Sequence, residues 1–430
     1  QSDSERTLGI RTKRSPVTTL WLVLIFASAS LTFYAYFGYP AILWVLSRFR
    51  QMPPVVKTFP DQWPLISVAL PAHNAERTLR PVLEALVAAD YPRDRRRIVV
   101  LSDGSTDGTE ALVREFEDRG VELLAFSNRQ GKTAVENAAY EQLSGEIIVN
   151  TDASVTVAPD AIKRLVAALQ DPGVGVASSR DISVASVGAA GRSDEGAYVG
   201  YEMWVRELET AVDGIVGASG SLYAVRRFLH NRTLPTHLSR DFSSALWARL
   251  NGLRAVSVTD ALCFVPRSAS MPIEYRRKIR TMHHGLQTLL FRKQLLNPLR
   301  YGVFAWMLLS HKLIRWLVPF ALLIGWGASL ALGTTLLVGT AQVMRSTGGA
   351  LVLAALAPVA LAVVGWWWPI GSKPPRLAGS AAYFVSSVWA GIIAWKRTIA
   401  DERAVIWEPT PRALSKPGCC LLYTSDAADE

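Results

Sequence analysis

Four polar segments each follow a short apolar run: "PAHNAE" (71–76), "SDGSTDGT" (102–109), "NRQGK" (128–132) and "TDAS" (151–154). Their residue types suit a diphosphate ligand. Asp152 closes the run "GEIIVN", where one carboxylate can hold Mg²⁺ or Mn²⁺ while substrate phosphates complete the oxygen shell. Lys132, after the permissive Gly131, can neutralise phosphate charge as a compact cation. Asp103, at a strand end before Gly104, can accept the N–H of a pyrimidine base or a ribose hydroxyl. Each residue also has a plainer reading. "DGSTDGT" can be a turn with a helix cap at Ser105 or Asp107, Asp152 a cap, and Lys132 a solvated surface lysine. Asp241 can simply favour a helix N-terminus. His283 and His284, adjacent on a helix, face apart and read as interface filler. No phosphate-loop or dinucleotide fingerprint is present, which leaves an ATPase or dehydrogenase unsupported.

These segments need a scaffold that gathers them. "LISVAL" (65–70), "RIVVL" (97–101), "VELLAF" (121–126) and "EIIVN" (146–150) are β-branched apolar runs suited to buried strands. Between them Leu79, Leu83, Leu86 and Val87 recur on one helical face, "TEALVREFEDRG" stops at Gly120, and "PDAIKRLVAALQ" begins a helix near Pro159. Alternation of strand and helix predicts an α/β fold with a parallel sheet. Ligands of such sheets sit at the carboxyl ends of the strands, where all four polar segments would meet. Further on, "YEMWVRELE" (201–209), "RDFSSALWARLNG" (240–252) and "YRRKIRTMHHGLQTLLF" (275–291) read as helices, and "GASGSLYAVRR" (217–227) as a loop with a short strand.

The 430 residues are half hydrophobic, unevenly spread, with uncharged runs over 15–47, 316–344, 346–372 and 377–395. Each is long enough for a bilayer span. The first is too long for a signal peptide, so it reads as a retained anchor. The expected organisation is an N-terminal segment 1–16, an anchor 17–47, a globular domain 60–298, an interfacial helix 299–315, about three spans over 316–397, and a tail 398–430 whose last residues, 417–430, read as a processing scar. The net charge of +10 is dispersed and clusters beside the spans, which favours lipid headgroups and not nucleic acid. Basic residues flank the first span on both sides (Arg6, Arg11, Lys13 and Arg14; Arg48, Arg50 and Lys57), so charge does not orient it. Cys263, Cys419 and Cys420 form neither a disulfide framework nor a metal spacing.

Taken in order, the motifs resemble those of membrane-embedded family-2 glycosyltransferases, relatives of hyaluronan, cellulose and poly-N-acetylglucosamine synthases. The resemblance spans roughly 64–300: "VALPAHNAE", "VVLSDGSTDGT", "RQGKTAVENAA", "GEIIVNTDAS", "GIVGASGSLYAVRR", "RDFSSALWARLNGLRAV" and "RRKIRTM". It implies a GT-A-like nucleotide-sugar-binding domain with a mixed, mostly parallel sheet, flanked by transmembrane helices. It implies donor contacts from Pro71, Asn74, Glu76, Asp103, Lys132, Asn137, Arg277 and Arg280, and a metal held by Asp152 and Ser154. Gly217, Ser219, Gly220 and Thr281 would face the acceptor, and Asp241 would be the catalytic base. Two departures matter. Ser154 stands where the family has the second aspartate of Asp-x-Asp. In the Gln-x-x-Arg-Trp motif, Arg277 replaces Gln and Thr281 replaces Trp, while Arg280 matches.

The resemblance implies inverting transfer from a nucleotide sugar, with a UDP-sugar expected, to a saccharide or lipid-linked acceptor. The donor side would be cytoplasmic and the location the plasma membrane. The two departures leave open a non-catalytic membrane scaffold with a degenerate transferase domain. The scarcity of charge within the three C-terminal runs counts against a transporter.

Overall fold

The computed structural model describes residues 16–50, 52–184, 193–230, 233–266, 271–339, 341–369, 372 and 374–403, with the side chains of 193–197 left aside. The tail residues Cys419 and Cys420 and the segment 417–430 lie outside the described residues. The chain divides into two compact units. One comprises residues up to Phe37 and Ile314–Trp389; the other comprises Gly38–Leu313 and the chain from Ala390 on. The globular unit is therefore wider than the expected 60–298 and includes the end of the last long helix.

Among the described residues, the globular unit is built on eight strands: β1 (Ile66–Ala72), β2 (Arg96–Asp103), β3 (Val121–Phe126), β4 (Ile147–Thr151), β5 (Thr156–Val157), β6 (Val174–Val184), β7 (Leu222–Arg226) and β8 (Arg254–Pro266). They form one sheet in the order β3-β2-β1-β4-β7-β6-β8-β5. β1 pairs in parallel with β2 and β4, β2 with β3, and β6 with β8. β7 runs antiparallel to β4 and β6, and β5 antiparallel to β8. The sheet is mixed and mostly parallel.

Strand periodicity explains the two layers. On β1, Ile66, Val68 and Leu70 face one core while Ala69 faces the other; Ile98 and Val100 against Val99 and Leu101 repeat the division on β2. The first layer is closed by the helices Glu76–Ala88 and Ala161–Ala168, through Leu79, Leu83, Leu86, Ile162 and Leu165. The second is closed by Lys132–Ala138 and Arg240–Leu250, through Val135, Ala245 and Ala248. Burial on both faces is why these strands read as unbroken apolar runs.

Among the described residues, four helical stretches are long and apolar enough to cross a membrane: Pro16–Phe49, Pro298–Leu337, Gln342–Trp366 and Arg376–Ile399. The expected separate interfacial helix over 299–315 is replaced by Pro298–Leu308, which continues through a π-helical turn, Leu309–Ile314, into Arg315–Leu337. Its one non-helical residue is Gly302 (φ 52, ψ −127), where the helix is kinked. In the apolar unit, Pro16–Phe33 packs on Arg315–Leu337, which packs on Gln342–Trp366. A Cβ on Gly348 would lie 2.6 Å from the Gly333 carbonyl oxygen, so glycine is what lets these two helices approach so closely.

Candidate active site

Asp103 ends β2 almost fully buried, and both its carboxylate oxygens are engaged: one accepts the Gln130 N–H at 2.6 Å, the other the Gly131 N–H at 2.8 Å. This carboxylate therefore shapes the loop leading to Lys132. Two glycines make that loop feasible. Gly104 has φ +59, and a Cβ there would meet the Arg129 amide nitrogen at 2.6 Å; Gly131 has φ +96 just before the helix Lys132–Ala138.

The segments 71–76 and 102–109 are laced together. Asn74, itself at φ +47, accepts the Thr106 N–H at 2.8 Å through Oδ1. Glu76 Oε2 accepts the Gly108 N–H at 3.1 Å, and the Glu76 N–H donates to Asp107 Oδ2 at 3.2 Å. Asp107 also accepts the Thr109 N–H at 3.0 Å, so the turn reading of "DGSTDGT" holds, while the N-cap of the helix Thr109–Arg114 is Gly108 and neither Ser105 nor Asp107. Asn74 and Glu76 are exposed at this edge, while Pro71 is buried within β1.

Lys132 reaches across to Asp152, just past β4, with Nζ 2.6 Å from Oδ1. It is not a solvated surface lysine, nor is Asp152 spent on a helix cap. Burial works against the Lys132 ammonium, but the carboxylates of Asp152, Glu136 and Asp241 outweigh it and hold its pKa above the ordinary lysine value. Ser154 is half-buried two residues beyond Asp152. Among the described residues no group of three or more His, Cys, Asp or Glu side chains gathers as a metal centre. A hard cation that takes one carboxylate from the protein and most of its oxygens from substrate phosphates fits this donor set; a metal requiring an all-protein cage does not.

Asp241 lies in the first turn of Arg240–Leu250, half-buried, and accepts a hydrogen bond from the Ser239 hydroxyl. The helix-dipole reading of Asp241 and a chemical role are compatible at this position. The loop before β7 passes close to it: a Cβ on Gly220 would lie 3.2 Å from Asp241 Oδ2, and one on Gly217 would lie 3.5 Å from Lys312 Cε. Ser219 donates to Asp181 at 2.5 Å and Ser221 to the same carboxylate at 3.2 Å. Burial pushes the Asp181 carboxyl up against the pull of these hydroxyls and Arg206. Ser221 in turn accepts from Thr151 and from the Asp152 N–H, so the loop links Asp181, Asp152 and Asp241.

Two of the expected donor contacts, Asn137 and Arg277, take partners within the domain. Asn137 is occupied within the domain: Nδ2 donates to the Leu234 carbonyl at 2.8 Å and Oδ1 accepts from Arg240. Arg277 is held by Glu274 on its own helix, Met271–Phe291, by two hydrogen bonds of 2.7 Å. Arg280 is half-buried and Thr281 exposed on that helix. His283 is buried, with Nδ1 2.9 Å from Thr398 Oγ1 and Nε2 2.8 Å from the Glu402 carbonyl, as interface filler would be. Sequence reasoning missed Asp181, Glu136, Arg240 and Lys312. The i, i+4 spacing of Lys132 and Glu136 was the available signal for one of them; Asp181 left none.

Residues 67–232 match the family model for glycosyl transferase family 2. The chain is 33% identical over 113 residues to a probable glycosyltransferase, YdaM, of Bacillus subtilis, covering 25% of this chain and 27% of that protein. It is 33% identical over 122 residues to an N-acetylglucosaminyltransferase of Mesorhizobium japonicum, covering 27% and 28% respectively. The matched stretch is thus less than a third of either relative's length. Among solved structures, the mannosyltransferase PcManGT of Pyrobaculum calidifontis, in complex with GDP-Man and Mn²⁺, resembles the chain at TM-score 0.64 and 26% identity, over 88% of this chain and 99% of that one. The fold is GT-A-like.

Proposed function

We propose that the protein is an inverting glycosyltransferase that moves a sugar from a nucleotide-sugar donor to a saccharide or lipid-linked acceptor at a membrane. The observation that carries this reading is the convergence of Asp103, the Lys132–Asp152 pair and Asp241 at one edge of the sheet, with Lys132 Nζ 2.6 Å from Asp152. Asn74, Glu76 and Asp103 would receive the nucleoside, and Lys132 and Arg280 the diphosphate. Asp152 and Ser154 would hold Mg²⁺ or Mn²⁺, which when bound supplies charge to offset the leaving diphosphate. Asp241 takes the proton from an acceptor hydroxyl as its oxygen bonds to the anomeric carbon, and the bond from that carbon to the diphosphate oxygen breaks. Lys132, already beside the carboxylates, stabilises the charge left on the departing nucleoside diphosphate. Gly217, Ser219 and Gly220 would border the acceptor, because their loop runs against Asp241. The donor-binding edge would face the cytoplasm and the long helices would lie in the plasma membrane.

The test is a screen of UDP- and GDP-sugars against the full chain in nanodiscs, reading nucleotide release with Mn²⁺, with Mg²⁺ and with chelator. Metal-dependent release with one donor is expected. It would also separate the uridine expectation from the guanosine nucleotide bound by the Pyrobaculum protein. Release with none of them would return the chain to the scaffold reading.

A further inference from the structure

The residue before the base, Arg240, is nearly fully buried, and its partner Glu136 is completely so. Arg240 Nε lies 2.8 Å from Glu136 Oε2. Its Nη2 donates to the Thr133 carbonyl at 3.3 Å and to Asn137 Oδ1. Two further bonds join the same segments: Thr133 Oγ1 donates to the Leu238 carbonyl at 3.1 Å and Asn137 Nδ2 to that of Leu234 at 2.8 Å. The short helix Lys132–Ala138 therefore has two duties. At its first residue it presents Lys132 to Asp152; one turn on, at Glu136, it grips the residue adjoining Asp241.

We infer that Glu136 is a positioning residue: through Arg240 it sets Asp241 relative to the Lys132–Asp152 pair, so that the base and the diphosphate-binding group are held by one helix. The inference rests on the transferase reading for its catalytic meaning. The chemistry supports it in two ways. A guanidinium makes several bonds in a fixed fork, so an Arg bound at Nε and Nη2 has little freedom, and neither has the backbone of Asp241 beside it. A buried ion pair is weak evidence for stability, since apolar residues of similar size often serve as well; orientation is a role they cannot replace. Displacement of a reacting group by about 1 Å can cost about 10²-fold in rate.

The test compares the full chain in nanodiscs with Glu136→Gln, Glu136→Ala and the double variant Glu136→Leu with Arg240→Met, which removes both charges and keeps the volume. Turnover, donor KM, Mn²⁺-nucleotide affinity, melting temperature and backbone amide exchange are read together. Glu136→Gln keeps an acceptor for Nε and should retain at least about a third of kcat. The double variant should melt close to wild type and bind nucleotide within about threefold, while kcat falls roughly 10- to 100-fold and exchange rises over 239–244 but not over 147–151. Wild-type kcat with unchanged exchange in a folded double variant would overturn the inference. A parallel loss of kcat, affinity and melting temperature in every variant would also overturn it, reducing the pair to a structural one. Failure of the transferase reading shows separately, as absence of nucleotide binding and turnover in wild type; amide exchange over 239–244 then decides the positioning claim by itself.

Discussion

Asp152 and Asp241 divide the proposed work, and their surroundings let the two roles be told apart. Asp152 is engaged by Lys132 at 2.6 Å, so its removal deprives both a bound cation and the ammonium of a partner. Asp152→Ala should abolish transfer and also metal-dependent nucleotide binding in calorimetric titration; wild-type affinity in that variant removes it from the metal site. Asp241 instead sits under the loop carrying Gly220. Asp241→Asn keeps the side-chain shape and loses the proton acceptor. Turnover should drop by at least ~10²-fold with nucleotide affinity nearly unchanged. A collapse of affinity in that variant would mark Asp241 as a helix-start residue alone.

At the scale of elements, the basic helix Met271–Phe291 is tied at both edges. Thr288 Oγ1 accepts the Ser239 N–H at 3.0 Å, two residues before Asp241. Its other edge carries His283 and Gln287, which both bond to the Glu402 carbonyl at 2.8 Å. His284 lies between these contacts. Burial above all, then the charges of His283, Arg280 and His237, bring its pKa down from the ordinary 6.5 to about 4. The unfolded chain therefore binds this proton first as pH falls. The stability His284 contributes is complete above pH 6.5 and is lost progressively towards about pH 4. The melting temperature of wild type should decline more steeply across that window than that of His284→Gln, measured by scanning calorimetry. Equal slopes would show that His284 exchanges protons as freely folded as unfolded.

The whole molecule joins a GT-A-like domain to helices able to cross a bilayer, and this bears on product length. In processive relatives the Trp of Gln-x-x-Arg-Trp offers the acceptor sugar a flat apolar face, and such faces combine contact area with fixed orientation. Thr281 is exposed but has no such face, and His283, two residues on in the sequence, is buried and bonded to Thr398 and Glu402. A growing chain would be released between additions. We expect a short product or a single transfer to a lipid acceptor, read by sizing the labelled product on a gel. A ladder running to long polymer would locate the grip on the chain elsewhere in the fold.

Strands β1 to β4 begin and end within about two residues of their apolar runs; for β1, β2 and β4 burial on both faces of the sheet marks consecutive residues, whereas β3, expected to be buried, is an edge strand with only Val121 fully buried. Asp103, Lys132 and Asp152 were legible for the same reason: each follows a strand end closely enough for the chain itself to place it. β6 and β8 were not legible, since their runs mix serine, arginine and aspartate with apolar residues, and pairing over their length decides their conformation. The tertiary structure alone decided which partners those side chains take. Asn137 turned inward, Arg277 paired with Glu274, and His283 was taken up by residues over 100 positions away. Glu136 and Arg240, 104 residues apart, meet in the core, and neither neighbourhood carries a trace of the other. Local pattern records what each residue faces; it does not record whom it meets, because that is set by how distant elements pack.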